Sequence, residues 1–168
     1  MNRFNGIFFL LTLLFSSAVG CSSKRILPDN PGPFQRYTQE IVMHSEILRK
    51  DVKFGVLLPE SYRDDADRRY PVVYMLHGYG DNHMSWNGKY LHANARIQAL
   101  EKNGLSEMIY IFPAGYNSYY CNYYNGKYNY MDMFVQELVP HVDKSFRTVA
   151  DREHRALTGY SMGGFGAM

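Results

Sequence analysis

Cysteine is nearly missing from this sequence: Cys21 and Cys121 are the two in 168 residues. A framework stapled by disulfides, which needs several paired cysteines in a short chain, is thereby excluded. There is also no apolar run of the ~20 residues that a membrane-spanning helix needs. Charge of one sign is lacking too, with a formal net charge of +2 and only 20% charged residues. No stripe of Lys and Arg tracks a phosphate backbone, so nucleic acid is not an expected partner. Internal repeats are absent. What is abundant is tyrosine, 15 against a single tryptophan, and that excess is concentrated in one place.

The first residues read as a targeting signal. Arg3 supplies a short positive region, and Ile7 to Val19 form an apolar stretch broken only by Thr12, Ser16 and Ser17. That is the pattern of a signal peptide over residues 1–20. Ala18-Val19-Gly20-Cys21 resembles a bacterial lipobox, in which the cysteine is lipidated; ordinary cleavage nearby with Cys21 incidental is the alternative. The expectation is a lipoprotein held on a membrane through Cys21, and stable anchoring of that kind takes two lipid signals. A lipidated Cys21 would leave Cys121 a lone thiol. Residues 21–36 carry Pro28, Pro31 and Pro33 beside Asn30 and Gly32, the composition of a flexible tether. The domain proper is expected over 37–168.

Within it, Glu40–Ser45 and Val52–Leu58 read as strands. Asp64 to Arg69 is a charge-dense, solvated connection. Pro71 to Leu76 is an almost unbroken apolar run, as in a strand buried on both faces, with Pro71 at its first position. Tyr90–Lys102 has helical character and stops at Asn103-Gly104. Met108–Phe112 is a second buried strand. Met131–Phe146 reads as a helix with Phe134, Leu138 and Val142 on one face, kinked or interrupted at Pro140. Arg155–Gly159 is a last short strand, with a helix beginning after Ser161. Such alternation predicts an α/β fold, a mostly parallel sheet with helices on both faces.

Two motifs sit where these strands end. Gly159-Tyr160-Ser161-Met162-Gly163 has the Gly-x-Ser-x-Gly form of a nucleophile elbow, a tight strand-to-helix turn. Gly159 and Gly163 lack the Cβ atoms that would collide across it, and Gly164 and Gly166 let the following helix lie close to the sheet. The turn aims the Met162 N–H toward the oxygen of an attacked carbonyl. His77-Gly78-Tyr79-Gly80, directly after a buried strand, supplies a second turn whose glycines, Gly78 and Gly80, let the chain present backbone N–H groups. The Tyr79 N–H is the partner candidate in an oxyanion hole, where each donor is typically worth ~3 kcal/mol of barrier. His77 itself reads as a core histidine. No cofactor is implied. A metal is not expected either: His77 and His83 lie six apart on a turn around Asp81, unlike a helical zinc pair.

The stretches YPVVYMLHGYGDNHMSW, ELVPHVDKSFRT and RALTGYSMGGFGAM resemble the esterase D branch of the α/β-hydrolases. That branch includes S-formylglutathione hydrolase, tributyrin, acetyl and feruloyl esterases and the mycolyltransferases. The resemblance runs from about Gln39 to Met168. It implies hydrolysis of a carboxylic ester through an acyl-serine at Ser161, or acyl transfer on the same scaffold. In that fold the triad runs serine, acid, histidine along the chain, yet Met162 to Met168 contain no Asp, Glu or His. The acid and base are therefore expected beyond this sequence, with the sheet truncated after the elbow and the isolated chain inactive and prone to aggregate. His141 and His154 precede Ser161 and match no triad position.

Tyr116, Tyr119, Tyr120, Tyr123, Tyr124, Tyr128 and Tyr130 crowd the segment that follows the second buried strand. This segment should open at the carboxyl edge of the sheet, on the side of Ser161. It reads either as a stacking platform for a sugar or aromatic acyl group, or as a loop packed on itself. Tyr119, Tyr120 and Trp86 are the substrate-binding candidates, and the substrate expected is an acylated carbohydrate or other small ester. A non-catalytic surface protein that binds glycans through the tyrosines is the alternative outside catalysis.

Overall fold

The computed structural model describes residues 35–88 and 91–168. The expected leader, the Cys21 anchor and most of the tether lie outside them, as does Tyr90. The described residues form five strands: β1 (Tyr37–Ser45), β2 (Lys50–Leu57), β3 (Val72–Leu76), β4 (Ile109–Pro113) and β5 (Arg155–Gly159). They make one sheet in the order β1–β2–β4–β3–β5.

The two leading strands depart from the parallel expectation. β1 pairs with β2 antiparallel, and β2 pairs with β4 antiparallel, while β4–β3 and β3–β5 are parallel. Only four residues separate β1 from β2, too few for the crossover that parallel neighbours need, so they fold as a hairpin. Its inner face is Ile41, Met43 and Ser45, all buried, alternating with exposed Val42 and His44. β4 is buried along its whole length, and β3 at every position but Val73. This follows from helices on both faces, because a strand covered twice carries a continuous apolar run. Pro71 lies just before β3 rather than inside it.

One face of the sheet is covered by α1 (Ala93–Glu101), which inserts Ala93 and Ile97 against Leu57, Tyr110 and Phe112. The other is covered by a single rod made of α2 (Tyr130–Met133), a π-helical turn (Phe134–Leu138) and α3 (Val139–Ser145). Phe134, Leu138 and Val142 are buried, as their spacing required, beside Val56, Val72 and Tyr74. Pro140 stands just after the π turn. A proline inside an α-helix clashes with the carbonyl four residues back; the wider turn before it accommodates the ring without ending the rod.

Side chains of this rod fasten other elements. The Glu137 carboxylate accepts hydrogen bonds from the N–H groups of Glu46 and Ile47, both at 3.0 Å, and from the Ser45 hydroxyl at 2.5 Å. It thereby satisfies the hairpin turn. Asp143 accepts from Thr148 Oγ1 at 2.7 Å and pairs with Arg155, which ties α3 to the start of β5. The last helix, α4 (Met162–Gly166), begins directly after Ser161.

Candidate active site

β3 and β5 are parallel neighbours in register from Val72↔Arg155 to Leu76↔Gly159. Both strands therefore end together, and the two motifs emerge side by side at the carboxyl edge. The contact is direct. A Cβ on Gly163 would overlap the backbone carbonyl of Leu76 and lie 2.8 Å from the His77 oxygen, and one on Gly159 would overlap the backbone of Gly163. Nothing larger than hydrogen fits where elbow and turn cross. At Gly164 a Cβ would meet nothing closer than 3.5 Å, whereas one on Gly166 would overlap the Tyr120 ring, so the close packing belongs to Gly163 and Gly166.

Ser161 is exposed and holds φ 52°, ψ −120°. This conformation is costly for a residue with a side chain, and such strain persists only where its surroundings enforce it. Met162, next in the chain, is buried at the first position of α4, and its N–H is among those a helix leaves without an internal partner. Gly163 N–H closes the elbow onto Tyr160 O at 2.8 Å.

The turn after β3 is fastened at nearly every residue. His77 is fully buried; its Nδ1 bonds Gly78 O at 2.7 Å and its Nε2 accepts from Gly115 N–H at 2.8 Å. Accepting at Nε2 places the proton on Nδ1, and burial pushes the pKa down, so the ring is held neutral. The sequence reading of a core histidine holds. Tyr120 Oη donates to His77 O at 3.0 Å. Gly80, at φ 79°, donates its N–H to Asn117 Oδ1 at 2.9 Å. Tyr160 Oη donates to Asp81 Oδ2 at 2.6 Å, and its ring blocks any Cβ at Gly78. Burial, with Asp81 as acceptor, raises the Tyr160 pKa to about 12. Tyr160, Asp81 and Asn117 escaped the sequence reading; the one hint was that Tyr160 fills a variable position of the elbow motif.

The substrate candidates are placed unequally. Tyr119 is half exposed, with Tyr79 and Phe165 each at 6.0 Å between ring centroids. The three form an exposed aromatic band, and Phe165 lies on α4, the helix that follows Ser161. Phe165 was not foreseen. Tyr120, by contrast, is buried against His77 and Tyr130, beneath Gly115 and Gly166. It is a pillar of the turn. Trp86 packs edge-to-face on Tyr160 at 5.0 Å, behind the elbow.

Among the described residues no histidine hydrogen-bonds Ser161; His92 is exposed just before α1. His83 is buried with Nε2 3.4 Å from Glu40, and His154 is bound to Asp151 at the far end of β5. His44 bonds Asp51 on the hairpin, and His141 packs edge-on to Phe54.

The family model "Putative esterase" matches residues 45–168. The chain belongs to this esterase family. It is 33% identical over 135 residues to an endo-1,4-beta-xylanase/feruloyl esterase of Xylanibacter ruminicola, covering 75% of this chain and 18% of that protein. An acetyl esterase of Caldicellulosiruptor saccharolyticus is 29% identical over 136 residues, covering 77% and 48%. Among solved structures, a ferulic acid esterase superposes with a TM-score of 0.70 at 27% identity, over 80% of this chain and 54% of that one. The fold is thus that of the α/β-hydrolases, and the chain spans about half or less of the proteins it matches.

Proposed function

We propose that this esterase is an extracytoplasmic serine hydrolase, anchored through a lipidated Cys21, that cleaves carboxylic esters of acylated carbohydrates through an acyl-Ser161 intermediate. The observation that carries the reading is the strained Ser161, held above Gly163 where the elbow crosses the turn after β3. In the reaction, Ser161 Oγ attacks the ester carbonyl and gives its proton to a histidine. The oxyanion is stabilised by the N–H groups of Tyr79 and Met162. The alcohol leaves with that proton, and water then releases the acid. No described residue is assigned as the histidine or its carboxylate partner, since none of the described histidines hydrogen-bonds Ser161 and His77 spends both nitrogens on backbone groups. The acetyl and feruloyl esterases among the relatives favour an acylated saccharide as substrate.

The test is a fluorophosphonate probe on the protein from its complete gene, with hydrolysis of acetylated and feruloylated xylo-oligosaccharides followed in parallel. Labelling should map to Ser161, and Ser161→Ala should remove the label and lower the rate by at least about a thousandfold. Hydrolysis that survives this substitution would overturn the assignment. Cys21→Ser should move the protein from the membrane to the soluble fraction, and an unchanged distribution would refute the anchor. Product carrying the acyl group on an alcohol instead of water would make the enzyme an acyltransferase.

A further inference from the structure

A cleft of about 340 Å³ opens in the tyrosine loop, outside the elbow and the turn after β3. Its walls are the rings of Tyr116, Tyr123 and Tyr128, and its rim carries Asn117, Asn125 and Lys127. The rings pack on one another and on a lysine. Tyr123 and Tyr128 lie 5.4 Å apart, and the Lys50 ammonium sits 3.5 Å from the centre of the Tyr116 ring and 5.1 Å from that of Tyr128. Tyr116 also holds φ 50°, a strained conformation for a bulky residue.

The polar rim has an unusual bias. Asn117 Oδ1 already accepts from Gly80 N–H, and Asn125 Oδ1 accepts from Lys127 N–H at 3.0 Å. What the rim still offers is donors: two amide NH₂ groups and the Lys127 ammonium. The Tyr128 hydroxyl is buried with no partner among the described residues. A purely apolar guest would desolvate those amide and ammonium donors without pairing them, which is expensive. A hydroxyl-rich ring, with apolar C–H faces for the tyrosines and oxygens for the donors, satisfies both halves. The cleft also joins the reacting edge, because Asn117 is bonded to the turn that carries Tyr79.

Resting on the ester-hydrolase reading, we propose that this cleft is a saccharide subsite that holds the alcohol side of an acylated carbohydrate. Tyr119, two residues from Asn117 in the same loop, meets the rings of Tyr79 and Phe165, so in this proposal the acyl group lies toward the serine.

The experiment uses the protein from its complete gene and a Tyr123→Ala/Lys127→Ala variant, with Asn125→Ala as a second, milder change. Xylotriose is titrated calorimetrically into each. kcat/KM is measured on an acetylated xylo-oligosaccharide and on p-nitrophenyl acetate, which has no sugar. The double variant should lose xylotriose affinity and raise KM for the acylated saccharide by about tenfold, with p-nitrophenyl acetate unaffected. Xylotriose that fails to bind the unmodified protein, or binds both proteins equally, overturns the subsite. Failure of the unmodified protein to hydrolyse either ester would instead overturn the esterase reading, and the titration would still decide the cleft.

Discussion

Tyr119 and Tyr120 are adjacent in sequence, share a left-handed backbone at φ 55° and 59°, and do opposite things. Tyr120 is driven inward, where burial pushes its phenol pKa well up and its hydroxyl holds the His77 carbonyl. Tyr119 stays half in solvent between Tyr79 and Phe165. The same division runs through the whole edge of the sheet. An inner layer of His77, Tyr120, Tyr130 and Gly163 has its space and hydrogen bonds fully committed. An outer layer of Tyr79, Tyr119 and Phe165 leaves its ring faces open. The inner layer fixes the backbone of the elbow and of the turn after β3, and the outer layer leaves its rings in solvent.

Substitutions should separate the layers, first by their cost to folding. Tyr120→Ala empties a site walled by His77, Tyr130 and two glycines and should lower unfolding free energy by about 3–5 kcal/mol in denaturant titration. Gly163→Ala forces a methyl into the Leu76 and His77 carbonyls. It should cost about 3 kcal/mol, with loss of Ser161 labelling, because backbone cannot yield as a side chain can. Wild-type stability in either variant would dissolve the inner layer. Tyr120→Phe keeps the ring but leaves the buried His77 carbonyl without this donor, for about 1–2 kcal/mol.

A pH titration of stability probes the same layer. His77, His83 and His141 all have pKa values depressed below 6.5, chiefly by burial. Below pH 6.5 the unfolded chain binds protons that the folded one refuses, so stability should fall as pH drops from 6.5 through the folded values. His77→Gln should flatten part of that slope. Tyr119→Ala comes last. It should change stability by no more than about 0.5 kcal/mol, while raising KM for acylated saccharides. A large stability loss there would erase the distinction between neighbours.

Much of this molecule was legible in the residues. The buried strands announced themselves as apolar runs, the rod as a four-residue spacing, and the elbow as glycines flanking a serine. The antiparallel insertion of β2 beside β4 was not legible, because periodicity shows that a strand exists and not which neighbour it takes. Tyr120 was read as a substrate contact on its position in the loop, and its burial depends on His77, 43 residues earlier.

The sequence by itself determined the chemistry on offer: a serine on a turn that only glycine permits, a second glycine turn after a buried strand, and a store of tyrosines between them. These are local requirements of sterics and periodicity, satisfied within a few residues. Only the tertiary structure decided which tyrosines became pillars and which became surface, and that Tyr160 would bond Asp81 across 79 positions and Glu137 would cap a hairpin 92 residues away. Those pairings follow from strand order. Parallel alignment of β3 with β5 brings their carboxyl ends to one edge, and nothing in either segment alone specifies its neighbour.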